Sequence, residues 1–237
     1  MLTHALHDTL HRLKNAATAS QRPAPALLAV SKTQPAQAVA ELAAAGQHAF
    51  GENYVQEAAL KQAALAHLGL EWHLIGHLQS NKAREAAAAF DWVQTVDRPS
   101  LVTALDRHRR PEQPPLNVLI QVNIDDEASK HGCRPEDVPA LAMLIGGQPR
   151  LRLRGLMVIP TPHPDPEARR DAFRRARRLF EALQAQQPGV DTLSMGMSDD
   201  LEVAVAEGAT LVRVGTALFG ARPAKPATTR ATPRDPG

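Results

Sequence analysis

Cysteine is nearly missing from this sequence: Cys133 stands alone among 237 residues. One thiol cannot close an intramolecular disulfide, and without a Cys-x-x-Cys pair neither a zinc site nor a redox framework is supported. We expect a cytoplasmic compartment, where thiols stay reduced. An excess of charge is lacking too. The formal net charge is +2, which removes any global electrostatic case for nucleic acid or a membrane surface. No stretch approaches the ~18 apolar residues of a membrane span, and the opening MLTHALHDTLHRLKNA has no apolar run of the kind a signal peptide carries. Tyrosine occurs once, at Tyr54, and lysine six times; both scarcities narrow the chemistry below.

What the chain does have is an alternation of two segment types. Short apolar runs suit strands buried on both faces. Ala/Leu-rich stretches with helical spacing separate them. After an opening helix over about 2–18, strands are expected at Ala26–Val30, 49–53, 71–76, 92–97, 117–123, 153–159, 192–197 and 211–215. Helices are expected at about 35–45, 54–67, 83–89, 100–109, 135–145, 167–186 and 199–207. Pro35 and Gly46 give the second helix the usual start and stop. Eight strands with a helical crossover between each pair predict a single α/β domain, a closed (β/α)8 TIM barrel with an extra N-terminal helix, over residues 1–222. Residues 223–237, rich in Pro, Thr and charge, read as a disordered tail. The run RRDAFRRARR resembles a nucleic-acid patch, but Ala168, Ala172, Ala176, Leu179 and Leu183 recur opposite the arginines. A solvated outer helix face is the better reading.

Such barrels carry their chemistry at the C-terminal ends of the strands. The polar residues there are Lys32, Asn53, His73 or His77, Thr95 or Asp97, Asn123, the Met157–Thr161 region, Ser194 to Ser198, and Arg213 to Thr216. Lys32 alone among the lysines leaves a strand with an apolar run behind it; Lys14 and Lys61 fall on expected helices, Lys82 starts one, Lys130 sits in a loop and Lys225 in the tail. Desolvated amines are good nucleophiles. A surface lysine whose stem packs on the barrel rim is the plainer alternative. SMGMSDD puts Ser198 before a short helix that it could cap, and VRVGTALFG puts Gly215 and Thr216 after the last strand. Barrels commonly hold phosphate between the loops after strands seven and eight. Arg213 faces the same side of its strand as Gly215. An inward guanidinium needs a partner. The pyridine nitrogen of pyridoxal 5′-phosphate (PLP) is one candidate, and a salt bridge to Glu202 or Glu207 is another. His73 and His77 lack the further ligands a metal would need, so no metal site is expected.

These segments resemble one family closely. AVSKTQP around Lys32, FGENYVQE around Asn53, WHLIGHLQSNKAR from Trp72, QVNIDDEASKHG from Gln121, GLMVIP from Gly155, SMGMSDDLEVAVAEG from Ser194 and VRVGTALFG from Val212 are similar to the YggS/PROSC family of PLP homeostasis proteins. The resemblance covers nearly every strand end between residues 27 and 221. It implies a barrel like the N-terminal domain of alanine racemase, without that enzyme's second domain. It implies PLP held as a Schiff base on Lys32, with Asn53 beside the ring. Ser194, Ser198, Gly215 and Thr216 would hold the phosphate region, Arg213 would face the pyridine nitrogen, and His73 and Met157 would line the pocket. By the same likeness the protein serves PLP supply and amino-acid balance as a carrier or regulator without an established reaction, with transient contacts to PLP-dependent apoenzymes. The alternative is a racemase-like enzyme. Racemisation needs a base on each face of the substrate, and the only tyrosine here opens an expected outer helix. A monomer is expected because the motifs complete one pocket in one chain. The chain departs from the family pattern at His77 and in a short, Pro-rich start.

Overall fold

The computed structural model describes residues 1–127 and 129–220; the tail expected over 223–237 lies outside them. Eight parallel strands close into one barrel in chain order: β1 (Ala26–Val30), β2 (Ala49–Glu52), β3 (Glu71–Leu74), β4 (Trp92–Val96), β5 (Leu116–Val122), β6 (Leu151–Val158), β7 (Thr192–Ser194) and β8 (Leu211–Val214). β8 closes on β1, with Leu28 opposite Arg213. The helices are α1 (Leu2–Ala19), α2 (Ala36–Ala44), α3 (Val55–Leu65), α4 (Ala83–Ala89), α5 (Pro99–His108), α6 (Val138–Gly146), α7 (Pro166–Gln186), α8 (Leu201–Ala206) and α9 (Thr216–Phe219). α9, four residues long, was not foreseen. α1 packs against α8, α9 and α2.

The main core is a shell between the sheet and the helices. Outward strand residues such as Phe50, Val93, Leu156 and Val212 meet the apolar helix faces there. Inside the barrel Trp92, Leu119 and Met157 form a separate apolar cluster. The interior also holds a group of buried polar side chains, His73, Gln94, Ser194 and Arg213, alongside apolar residues such as Leu28. Barrels of this type are ordinarily filled by branched apolar side chains.

Two irregularities set which side chains face inward. On β6, Leu153 pairs with Val118 but Gly155 pairs with Leu119, leaving Arg154 as an extra residue. Leu151 and Leu153 point to the outer shell before this bulge, and Leu156 and Val158 do so after it. The bulge therefore shifts the alternation by one and turns Met157 inward. Gly155 makes this geometry available: its φ is +146°, and a Cβ would stand 1.9 Å from the Thr192 carbonyl oxygen. β4 has a similar shift between Val93 and Val96.

α7 starts one residue before the expected Glu167, with Pro166 in its first turn and Asp165 accepting the Glu167 N–H at 3.0 Å. Its buried face is Ala172, Phe173, Ala176, Phe180 and Leu183; Leu179 is only half-buried. Several arginines of this helix pair with acids, Arg170 with Glu207, Arg175 with Asp125 and Arg177 with Glu181.

Candidate functional site

The odd-even alternation of the strands puts Lys32, Asn53, His73, Met157, Ser194, Arg213 and Gly215 on the inward side. Depth then separates them. A cavity of about 230 Å³ opens at the C-terminal ends of the strands, and Lys32, Asn53, Ser198, Arg213, Gly215 and Thr216 all line it. Val30, Ile75, Ile159 and Met197 supply its apolar wall, and Asp199 adds a carboxylate on the rim. Lys32, Asn53 and Ser198 are half-buried, Thr216 is exposed, and Arg213 is buried. His73, Met157 and Ser194 do not line this cavity. They lie in the closed interior, at 2%, 0% and 0% exposure. His77 stands outside, its ring stacked on His131 with centroids 3.9 Å apart.

Arg213 forms the floor of the cavity. Nη1 donates to Ser194 Oγ at 2.7 Å and Nη2 to the Val158 carbonyl at 2.9 Å. The salt bridge allowed by spacing does not form: Glu202 pairs with Arg12 and Glu207 with Arg170 and Arg174. Burial pulls the guanidinium down to about 10, opposed by the nearby charge of Asp200. A buried guanidinium that meets Asp200 only through space, without a direct ion pair, suits a ligand that accepts a hydrogen bond.

The expected cap by Ser198 is not observed. α8 begins at Leu201, with Asp200 at the cap position. Asp200 Oδ1 instead accepts the Met197 N–H at 2.6 Å, tightening the loop that Ser198 belongs to. Ser198 Oγ accepts the Ala217 N–H across the gap to α9, at 3.4 Å. Arg12 of α1 donates to the Ser198 carbonyl at 3.1 Å. Gly196 allows the loop its path: φ is +91°, and a Cβ would lie 2.5 Å from that of Ala204. The loops after β7 and β8 are thus joined, with Ser198, Gly215 and Thr216 on one cavity wall.

The support beneath Lys32 was missed by sequence reasoning. Lys61, expected to lie on an ordinary helix, is buried, and its Nζ donates to Glu52 Oε1 at 2.8 Å, Glu57 Oε1 at 2.7 Å and the Ser31 carbonyl at 2.7 Å. Ser31 Oγ donates to Glu52 Oε1 at 2.6 Å. Glu57 Oε1 also accepts the Thr33 N–H at 2.5 Å. Thr33 has φ +65°, a strained conformation for a β-branched residue. The two backbone neighbours of Lys32 are therefore clamped by one buried charge cluster. Burial pushes the Glu52 carboxyl up, against the lowering effect of its bonds from Lys61 and Ser31. The signal available in the sequence was a charged residue at the end of a buried strand, followed by a lysine on the next helix.

Chemically, the cavity offers an amine, a buried guanidinium, two hydroxyls and a glycine-bearing backbone around an apolar wall. Among the described residues no group of three or more His, Cys, Asp or Glu side chains could hold a metal. No described helix is long and apolar enough to cross a membrane.

The sequence matches the family described as alanine racemase, N-terminal domain, over residues 4–223. It is 57% identical over 213 residues to the pyridoxal phosphate homeostasis protein of Pseudomonas aeruginosa, covering 89% of this chain and 91% of that one. Identity to the Escherichia coli protein of the same name is 49% over 226 residues, covering 93% and 97%. Among solved structures, PipY of Synechococcus elongatus, with PLP bound, superposes at a TM-score of 0.79 with 41% identity, covering 93% of this chain and all of that one. Without PLP the same protein superposes at 0.84.

Proposed function

We propose, on the premise that this chain belongs to the family of pyridoxal phosphate homeostasis proteins, that it binds PLP and serves PLP homeostasis. The observation that carries this reading is the gathering of Lys32, Asn53, Ser198, Arg213, Gly215 and Thr216 around one cavity at the strand ends. The donor set suits the cofactor. Lys32 supplies the amine that holds PLP as a Schiff base. Ser198, Thr216 and the backbone at Gly215 hold the phosphate, where barrels of this class commonly bind one. Arg213 donates to the pyridine nitrogen, and Asn53 lies beside the ring. Ser194 acts through Arg213, to which it is hydrogen-bonded. His73 and Met157 contribute from the closed interior beneath the cavity. One PLP-binding domain over residues 1–222 is part of the same proposal, as is a monomeric, cytoplasmic protein that meets apoenzymes transiently.

The relatives are named for homeostasis and not for a reaction. We propose that this chain likewise carries or regulates PLP without turning over a substrate. Tyr54 supports this: it is exposed and lines a neighbouring cleft, not the cavity of Lys32. A permanent cation on the pyridine nitrogen also keeps the ring unprotonated and weakens its capacity to withdraw electrons.

The experiment is direct. Protein mixed with PLP is expected to develop a visible absorption band that borohydride abolishes, with the reduced adduct mapping to Lys32. A Lys32→Ala protein that kept the same reducible band would refute the assignment. Incubation with L-alanine is expected to yield no D-alanine above background.

A further inference from the structure

A continuous polar chain runs down the axis of the barrel from the cavity floor to its opposite end. Arg213 Nη1 donates to Ser194 Oγ at 2.7 Å. Ser194 Oγ donates to Gln94 Oε1 at 2.7 Å. Gln94 Nε2 meets His73 Nδ1 at 2.8 Å, and His73 Nε2 meets Glu71 Oε1 at 2.8 Å. Ser194, Gln94, His73 and Arg213 are all buried, while the Glu71 side chain is 48% exposed at the far end.

The directions of these bonds are fixed by the donor inventory. An amide nitrogen only donates, so His73 Nδ1 accepts. The ring proton is then on Nε2 and is donated to the Glu71 carboxylate. Reversing the Gln94 amide would need a proton on Nδ1, and a neutral ring would then turn a lone pair toward Glu71. Burial holds His73 below its ordinary value of 6.5, which favours the neutral ring. The His73 hydrogen bond holds Glu71 below its own. Every link therefore donates away from the cation and toward the anion. The His73 ring is also held in plane, stacked on Trp92 with centroids 5.0 Å apart and 8° between planes. Arg154 covers the other part of this stack, 4.6 Å from the Trp92 ring centroid.

A carboxylate beside Arg213 would neutralise it and take up the donors that face the cavity. Asp200 acts on Arg213 only through space, its carboxylate accepting the Met197 N–H; the chain of neutral dipoles ending in a distant anion adds compensation by hydrogen bonds and leaves the cavity-facing donors for a ligand. We infer that Gln94, His73 and Glu71 are positioning residues for Arg213: they set the orientation of its guanidinium and keep its charge directed at the cavity. This deepens the PLP reading and rests on it for the identity of the ligand.

Two measurements test it. In protein without PLP, nitrogen-15 NMR of histidine is expected to show His73 as the Nε2–H tautomer; an Nδ1–H tautomer overturns the proposal. This readout stands whether or not PLP binds. With PLP, Gln94→Leu is expected to speed cofactor release by up to about tenfold, the equivalent of one neutral hydrogen bond. Glu71→Gln, at the half-exposed end, is expected to act in the same direction and more weakly. In an Arg213→Leu background, Gln94→Leu is expected to add nothing, because its effect passes through the missing guanidinium. Losses that simply add in the double variant would show a merely structural role and overturn the proposal. Wild-type protein that retains no PLP at all would instead refute the functional reading, and the tautomer would still decide the network.

Discussion

Replacing Lys61 by methionine probes the clamp under Lys32 most sharply. Methionine keeps an unbranched apolar stem of similar reach and removes the charge. The perturbation leaves Glu52, which is fully buried, without its ammonium partner. Breaking a buried ion pair from one side costs about 3–5 kcal/mol. Glu52 has a way to lower that cost, which is to take up a proton. From the ordinary carboxyl value of 4.5, protonation at neutral pH costs about 3 kcal/mol at 1.36 kcal/mol per unit. Burial already raises this group, so the cost is smaller still. We therefore expect Lys61→Met to lose about 2–3 kcal/mol at pH 7, or about 5–10 °C in Tm for a chain of this size. The sign with pH follows from the raised value. A group whose folded pKa exceeds its unfolded one stabilises below the unfolded value and loses that contribution as pH rises through the folded one. The variant, lacking the lowering effect of Lys61, has the larger rise. Its deficit against wild type should shrink as pH falls from about 8 toward about 5. Thermal unfolding of both proteins across that range is the assay. A deficit that stays constant with pH, or is below about 0.5 kcal/mol at pH 7, would refute the assignment of Lys61 as the counter-ion of Glu52.

Further outcomes follow from other parts of the structure. Gly155→Ala must place a Cβ against the Thr192 carbonyl at a φ unsuited to alanine; we expect a loss of more than about 3 kcal/mol, visible as little soluble protein or a large fall in Tm, and near-wild-type behaviour would disprove the bulge geometry. Burial pushes the Cys133 thiol up to about 12, so a thiol reagent at pH 8 should label it in urea and leave the native protein untouched; rapid native labelling counts against this. His73, held below its ordinary value chiefly by burial, contributes stability that is complete above its unfolded value and lost as pH falls through it; His73→Phe should flatten the acid limb of the stability profile, and an unchanged slope would speak against a buried neutral ring.

The barrel was legible because its signals are local and repeated. Each strand is a short apolar run, and proline or glycine marks many of the boundaries. Ends moved by a few residues, as in β7, expected to reach Met197 but ending at Ser194. Its continuation is a loop because Gly196 takes a positive φ. α9 escaped notice because four residues carry no periodicity. In the site, strand parity puts Arg213 and Gly215 on one side of the sheet, but parity does not report depth. The position of His73 and Ser194 under the cavity, off its wall, therefore needed the structure. The partner of Arg213 could not be chosen from spacing, since Glu202 and Glu207 are nearby in sequence but turned to α1 and α7. Lys61 lies on the helix expected for it, but its burial could not be read from the sequence, for a related reason. Helical spacing says which residues share a face, and it does not say that a β2 carboxylate waits beneath that face.

The scarcity of aromatic side chains has a practical corollary in how the two indoles are placed. Trp72 and Trp92 are both buried on neighbouring strands, the former in the outer shell and the latter in the barrel lumen below the cavity. With a lone, surface tyrosine adding little background, the chain's ultraviolet emission comes almost wholly from these two rings. A chromophore seated above them would accept their excitation energy, so loading and unloading can be followed in real time by intrinsic fluorescence, without a label.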